Sequence, residues 1–464
     1  MSADSGAVPA AVRRVVDVAV RLPLGAVVAI AVCVRLLAGV AFSAGGTDEY
    51  EFGWLARNVV EGRGYSYFHD PGGRLDPTAT DPVDGMFPSA YMPPAYTSLV
   101  MVAAEVDDSH AGTVWVTRLF NVAAAAAGVA LVDALARRLV GRPGARLAAL
   151  GFALYPAFVY GATQVSAANL YLPVELGLLL LLVRAATSTS TWRYAAAGLA
   201  LGALCLLRAE AVALVPLAAA WLAWSARSGG RRGGSLPRVA VFAAVALVLP
   251  GAWIVRNSLA LGAPVATVTT TGGMNLWVGN HEGASGSQKN TPVTPEIERR
   301  ILELAPGDDY ELRRDAIFRD EALDYLAGDP LGAVARDVKK AGLLLVADVH
   351  DRRNLNPAYL GSYAVLAVAG SLGFVRWWRR RPGDDTVRWL IAGYLAASVA
   401  VPIVFFTLAR YRLPVEMVLL VFAGAWLADR CGLVADRGST APGGDADTLG
   451  SMSPEPRVAP QVRA

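Results

Sequence analysis

Two adjacent carboxylates, Asp48 and Glu49, follow the small, flexible run Ala44-Gly45-Gly46-Thr47 at the end of a long apolar segment. Beyond them Tyr50, Phe52, Trp54, Leu55 and Val59 alternate with Glu51, Arg57 and Asn58 at helical spacing. That is the pattern of an amphipathic helix lying along a membrane surface. A carboxylate placed there is partly desolvated and can accept a proton from a hydroxyl. The plainer reading of the same residues is a helix start, where acidic side chains favour the helix dipole.

Four further segments carry polar chemistry at the edges of apolar blocks. Tyr91-Met92-Pro93-Pro94-Ala95-Tyr96 opens a helix, with proline at its first turn and tyrosines able to line a groove. Arg256-Asn257 ends an apolar block, and an arginine there either snorkels or grips a phosphate with its planar fork. The loop Thr269 to Asn280 follows, and its glycines, with Asn275 and Asn280, allow backbone to approach a polar ligand closely. Arg410 and Arg412 stand in the turn Arg410-Tyr411-Arg412-Leu413-Pro414 between two apolar blocks, where ionisable residues mark function by default. Arg208-Ala209-Glu210 occupies another such turn and can form an internal pair. The four histidines, His69, His110, His281 and His350, match no zinc spacing and read as solvated loop residues. Cys33, Cys205 and Cys431 are too far apart for a disulfide framework, and the first two sit in apolar runs as packing residues.

The elements that must position these residues are membrane spans. The chain has 464 residues, 54% of them hydrophobic and 17% charged, short of the surface charge of soluble domains. Taking about 20 apolar residues per span, candidates fall near 24–44, 114–136, 144–163, 167–185, 193–207, 210–226, 238–255, 357–376, 387–408 and 411–429. The expectation is an all-α integral membrane protein with about ten transmembrane helices and amphipathic helices in its outer loops. The first run, Leu24 to Ala44, reads as a retained span and not a cleaved signal. The stretch 193–226 is broken by Arg208 and Glu210 into two spans joined by a tight turn.

Arginines gather in the short loops, at Arg137-Arg138, Arg231-Arg232 and Arg379-Arg380-Arg381. Under the positive-inside rule these loops are cytoplasmic, as are both termini. The loops 45–113 and 256–356 then fall on the extracytoplasmic side of a cell membrane, together with every segment that carries chemistry. The net charge of +3 gives no basis for a nucleic-acid partner. Within 256–356, residues 296–340 read as amphipathic helix, and the apolar run Ala341 to Ala347 is too short to span and reads as interfacial or re-entrant. Residues 1–430 form one transmembrane domain, and the tail 431–464, rich in Gly, Pro, Ser and Asp, reads as disordered.

Taken in order, these segments resemble the GT-C glycosyltransferases, in the branch that holds protein O-mannosyltransferases, the lipid A aminoarabinose transferase and many bacterial relatives. The matching pieces are Thr47-Asp48-Glu49-Tyr50, Ala56-Arg57-Asn58 with Gly62-Arg63-Gly64-Tyr65-Ser66, Met92-Pro93-Pro94-Ala95-Tyr96 and Arg118-Leu119-Phe120-Asn121. Further along are Leu207-Arg208-Ala209, Trp253-Ile254-Val255-Arg256-Asn257, Gly273 to Asn280 and Arg410 to Pro414. The resemblance implies inverting transfer of a sugar from a polyprenyl-phosphate donor to a glycan, lipid or protein hydroxyl. Under it Asp48 is the general base and Glu49 positions the acceptor or shares that role. Arg256, Arg410 and Arg412 hold the lipid phosphate, while Arg208, Asn257, Tyr91, Asn275 and Asn280 line the donor site. No cofactor is certain, and a divalent metal is admitted without a ligand set. One departure stands out: in Ser166-Ala167-Ala168-Asn169-Leu170-Tyr171, Ala168 takes the place where relatives often carry a carboxylate. Glu105, Glu282 or the first loop would then have to supply that acid. The competing class is a transporter or lipid flippase, which would place charged or broken helices near mid-membrane in both halves; a non-catalytic scaffold is the third.

Overall fold

The computed structural model describes residues 8–68, 86–228, 235–288, 293–305, 307–351, 354–380 and 385–433. His69, Arg231, Arg232, Arg381 and most of the expected disordered tail lie outside them. The described chain is helical except for one antiparallel hairpin, Ser66–Phe68 (β1) with Met86–Pro88 (β2), and one isolated bridge between Ser287 and Thr407.

The helices run α1 (Ala10–Arg21), α2 (Leu24–Ala41), α3 (Tyr50–Val60), α4 (Pro94–Val106), α5 (His110–Val140), α6 (Arg142–Leu154), α7 (Pro156–Gly161), α8 (Ala168–Ala186) and α9 (Thr191–Cys205). They continue as α10 (Leu214–Ser228), α11 (Ser235–Ala260), α12 (Gly272–Gly279), α13 (Pro295–Leu302), α14 (Tyr310–Gly328) and α15 (Pro330–Leu345). The last are α16 (Pro357–Arg380), α17 (Asp385–Val404) and α18 (Leu413–Arg430), with short 3-10 turns at Ala209–Ala213 and Ala409–Arg412.

Eight of these helices, counting the 3-10 turns that lead into α10 and α18, are long and apolar enough to cross a membrane. All ten expected spans are helical, but two fall short of a single crossing helix. One is α9, with 15 residues. The other, expected over 144–163, is broken into α6 and α7 at Tyr155-Pro156. Proline lacks the N–H that would reach the carbonyl four residues back. The orphaned carbonyls are met from another helix: Arg35 of α2 donates to Phe152 O at 3.1 Å and to Ala153 O at 2.8 Å. An arginine inside the first span is thereby explained as a cap on a broken neighbour.

The centre of the bundle is α5, 31 residues long, packed against α2, α4, α6 and α8. Opposite it, α18 fits between α6 and α16, and α9 pairs with α11. That pair needs small residues. A Cβ at Gly198 would stand 2.4 Å from Phe242 O, and one at Gly202 2.9 Å from Ala246 O. This is the close helix approach by which membrane helices gain packing where lipid offers no hydrophobic drive.

The expected amphipathic stretch 296–340 forms three helices, α13 to α15, and the last runs on through most of the apolar run to Leu345. Asp329 breaks α14 from α15 by capping, its Oδ1 accepting from Gly332 N at 2.9 Å. Of these, α13 and α14 form a cap with α12 around Trp277, Ile297, Ile301, Tyr310 and Phe318, joined to the bundle through Phe406 and Leu408.

Candidate functional site

The chain leaving α2 is fixed before it reaches the acidic pair. Arg118 of α5 spends all five N–H groups on it and on a neighbouring loop. Its Nε donates to Thr163 O at 2.9 Å, Nη1 to Gly39 O and Phe42 O at 2.9 Å each, and Nη2 to Ser43 O at 3.4 Å and Thr47 Oγ1 at 2.8 Å. One turn on, Asn121 donates to Ala162 O and Gln164 O and accepts from the Tyr96 hydroxyl. The fixed loop delivers Asp48 to an exposed position, where Oδ1 accepts from Tyr50 N at 2.7 Å. Tyr50 takes φ 51°, the sole non-glycine residue in the left-handed region among the described residues. Such a conformation costs about 1–3 kcal/mol and gathers at functional sites.

The two adjacent acids have different environments. Glu49 is buried and bridges Arg57 Nη2 at 2.5 Å and His110 Nδ1 at 3.0 Å. Burial raises its pKa, while Arg57 and His110 oppose that shift. Its geometry is that of a clamp between α3 and the start of α5. Glu51, half-buried in the first turn of α3, is held up by burial, with the charge of Asp48 adding and that of Arg410 opposing. Beside it Tyr67 and Tyr91 stack at 5.5 Å, and burial followed by the charge of Glu51 raises both phenols.

The arginines divide likewise. Arg256 lies beside the paired rings of Tyr65 and Trp253 and donates to Ser89 O at 2.6 Å and Tyr65 O at 3.1 Å. Asn257 is fully buried and holds Val268 O at 3.1 Å. Arg412 is buried against Glu416, reaches Leu344 O and Val346 O, and lies under Tyr363. These donors are committed to protein carbonyls and carboxylates. Arg410 differs. It is exposed, has no carboxylate within salt-bridge distance among the described residues, and lies within electrostatic reach of Glu51 and Tyr171. Its carbonyl accepts from the Tyr171 hydroxyl at 3.3 Å, and the Tyr171 ring carries Arg208 at 4.6 Å. Arg208 pairs with Glu210 at 2.7 Å, as its sequence spacing allowed, and also with Glu175 at 3.3 Å. Asp48, Glu51, Arg410, Tyr171 and Arg208 thus form one continuous polar line at one end of the bundle.

Arg208 also opens onto a cavity of about 260 Å³ between the ends of α11 and α17. Its lining mixes apolar Ile254, Val401, Pro402 and Phe405 with polar Arg208, Glu210, Thr267 and Asn275. The loop expected over 269–280 contains the helix α12, and the close approach its glycines make is to the protein itself. A Cβ on Gly273 would meet Asp315 O at 2.2 Å, and one on Gly279 would meet Phe405 O at 1.7 Å. The α12 amides of Gly273 and Met274 donate to the Asp315 carboxylate at 2.9 and 2.8 Å, leaving no anion site there. Asn280 is buried, donating to Val404 O at 2.9 Å and accepting from the buried Lys340 at 2.8 Å. Tyr91 is buried, its hydroxyl 3.9 Å from Met274 Sδ.

Several residues at this end were not singled out from sequence. Glu311 of α14 takes Ser89 Oγ, Ala90 N at 2.9 Å and Thr270 Oγ1 at 2.6 Å, tying β2 to the loop before α12. Glu311 and Asp315 stand four residues apart on one helix, but no spacing rule reveals which loops they hold. The histidines are not all solvated: His281 is buried and stacked on Trp277 at 4.2 Å, and His110 serves Glu49. Among the described residues no three His, Cys, Asp or Glu side chains gather as a metal site.

A family model described as dolichyl-phosphate-mannose-protein mannosyltransferase matches residues 93–254. No curated protein matches the chain. The oligosaccharyltransferase of Archaeoglobus fulgidus in its apo form aligns over 88% of this chain and 50% of its own length, at 14% identity and TM-score 0.50. The same organism's oligosaccharyltransferase AglB, in complex with an inhibitory peptide and a dolichol-phosphate, aligns over the same shares at 12% identity and TM-score 0.52. ArnT from Cupriavidus metallidurans bound to undecaprenyl phosphate aligns over 87% of this chain and 77% of its own, at 16% identity and TM-score 0.36, too low to weigh. The chain spans half the length of the archaeal enzymes it matches, and the likeness is one of fold. The family match covers residues 93–254, and over most of the chain the fold is similar to that of the archaeal oligosaccharyltransferases.

Proposed function

We propose that the protein transfers a sugar from a polyprenyl-phosphate donor to an acceptor hydroxyl, with inversion at the anomeric carbon. The observation that carries this reading is one open carboxylate, Asp48, and one arginine with no carboxylate at salt-bridge distance among the described residues, Arg410, both within electrostatic reach of Glu51. Inverting transfer needs a base on one side of the anomeric carbon and a group to receive negative charge on the other. Asp48 takes the proton of the attacking hydroxyl. The anomeric C–O bond breaks with its electron pair leaving on the phosphate, whose growing charge Arg410 meets. Neither step is routed through a metal.

The cavity supports a lipid-linked donor, because a lining of both apolar and polar residues suits an amphiphile. The donor's sugar and the acceptor's identity as protein, glycan or lipid stay open within the proposal. Sidedness follows from charge: the opposite end of the bundle holds Arg137 and Arg146 around Asp133, and Arg376 with Arg380 on Asp429. Basic short loops favour the cytoplasm, so the Asp48 end is assigned to the extracytoplasmic face.

The experiment is Asp48→Asn in proteoliposomes supplied with dolichyl-phosphate or undecaprenyl-phosphate sugars. Transfer is lost while the variant inserts and melts like the wild type. Activity within threefold of wild type would remove Asp48 as the base.

A further inference from the structure

The reading above leaves the acceptor with one contact, the proton-accepting oxygen of Asp48, and a flexible hydroxyl held at one point is not oriented. The resemblance implies a second acidic contact at the start of α8, but here that residue is Ala168, 7% exposed. Tyr171, one turn along α8, meets the Arg410 carbonyl, and Arg410 lies within electrostatic reach of Glu51. The start of α8 is thus linked to Glu51 through Arg410. Glu105 and Glu282, the other acids considered for this part, are exposed, whereas Glu51 is in reach of both Asp48 and Arg410.

Two features set Glu51 apart from a solvated helix-start acid. First, it has no side-chain hydrogen-bond partner among the described residues and bonds only its own backbone N–H, unlike Glu49 on Arg57 and His110. Second, the left-handed Tyr50 intervenes between Asp48 and Glu51, a conformation the local sequence does not favour and the surroundings must impose. Tyr67 and Tyr91 close the far side without neutralising it. A carboxylate so placed has hydrogen-bonding capacity left for a ligand.

We infer that Glu51 is an acceptor-binding residue, whose carboxylate accepts a hydrogen bond from an acceptor group next to the hydroxyl that Asp48 deprotonates, in place of the acid absent at Ala168. The inference rests on the glycosyl-transfer reading. Glu51 exchanges no proton in the reaction: the new bond is from acceptor oxygen to anomeric carbon, the bond to phosphate oxygen breaks, and the proton passes to Asp48. Arg410 serves both sides, opposing the burial that raises Glu51 and meeting the leaving phosphate.

The test compares Glu51→Gln and Glu51→Asp with Asp48→Asn in proteoliposomes, with dolichyl-phosphate and undecaprenyl-phosphate hexoses as donor probes and octyl glycosides and a threonine-containing peptide as acceptor probes. One charge-assisted hydrogen bond corresponds to about 10–100-fold in binding. Glu51→Gln, which keeps shape and removes charge, is expected to raise the acceptor KM by that factor while the donor KM stays within twofold, and Glu51→Asp to recover part of the loss. Equal rises in both KM values, or a fall in kcat with acceptor KM unchanged, overturns the inference and leaves Asp48 and the transferase reading standing. Should Glu51→Gln not insert, the Glu51→Asp split in KM decides by the same criterion. If the wild type turns over no probe pair, the glycosyl-transfer reading falls and this inference with it.

Discussion

Arg118 offers the most direct test of whether this end of the molecule is built to hold Asp48. All five of its N–H groups have acceptors, four of them carbonyls, and its guanidinium lies 5.2 Å from the Trp115 ring. Lysine keeps the charge but has three donors, so Arg118→Lys leaves at least two of the five acceptors unmet, two of which are only partly buried. An unsatisfied buried acceptor costs about 1–3 kcal/mol, so two unmet acceptors put the variant at most about 2–6 kcal/mol below wild type. Interhelical hydrogen bonds in bilayers measure weaker than this, so the lower end is expected.

Stability alone does not identify a positioning role, and the fold supplies a control. Arg35→Lys replaces the planar fork that spans Ala31 O, Phe152 O and Ala153 O with a single ammonium, at a helix break that does not carry the acidic loop. Both variants should lose thermal stability. Arg118→Lys should also lower kcat per folded molecule by about 10²-fold, because a displacement near 1 Å of a catalytic group has that effect. Arg35→Lys should leave kcat within threefold. The assay is transfer rate normalised to the folded fraction by size-exclusion chromatography, at a temperature below both melting transitions. Equal kcat losses in the two variants, or none in Arg118→Lys, would refute the positioning argument.

The two arginines of one turn should separate. Arg410→Ala is expected to keep the melting temperature and lower transfer by at least about tenfold, whereas Arg412→Ala strands the buried Glu416 and should cost about 3–5 kcal/mol, read as loss of folded protein. Tyr50→Gly should be neutral or stabilising by about 1 kcal/mol in thermal melts, since glycine takes φ 51° without strain, and Tyr50→Val should destabilise. The acid limb of kcat/KM should lie above the ordinary glutamate range: Glu51 is raised by burial, the ionised form is the one that binds, and activity is lost as pH falls through that raised value. The limb should move toward lower pH in Glu51→Gln, as measured by a pH–rate profile.

The spans were readable because a crossing helix needs a run of apolar residues, and composition shows runs directly. The break at Pro156 was not read, because its remedy, Arg35, lies in a different helix and no periodicity connects the two. The site was legible in part for a similar reason. Asp48, Arg410 and Arg208 stood out as charges at the ends of apolar blocks, and they do lie along one polar line. Arg256, Arg412, Asn257 and Asn280 stood out on the same grounds, yet their donors are taken by carbonyls and carboxylates. Sequence shows that a charge sits at a boundary; it does not show whether protein or ligand satisfies it.

That distinction decides how the site is read. A buried arginine without partners is costly, so a membrane protein with many boundary arginines must supply acceptors for most of them. Here helix ends and loop carbonyls supply them, at Arg35 for α6, at Arg118 for α2 and at Arg256 for the hairpin. Each committed arginine draws loops together at the end where Asp48 emerges or steadies the helices beneath it. An arginine without a carboxylate partner stands out against this background, and Arg410, bonded to Tyr411, is in that position within electrostatic reach of Glu51, itself in reach of Asp48. Two acids and a cation that the protein leaves underused at one end of the bundle fit a reaction in which a proton departs on one side and a phosphate on the other.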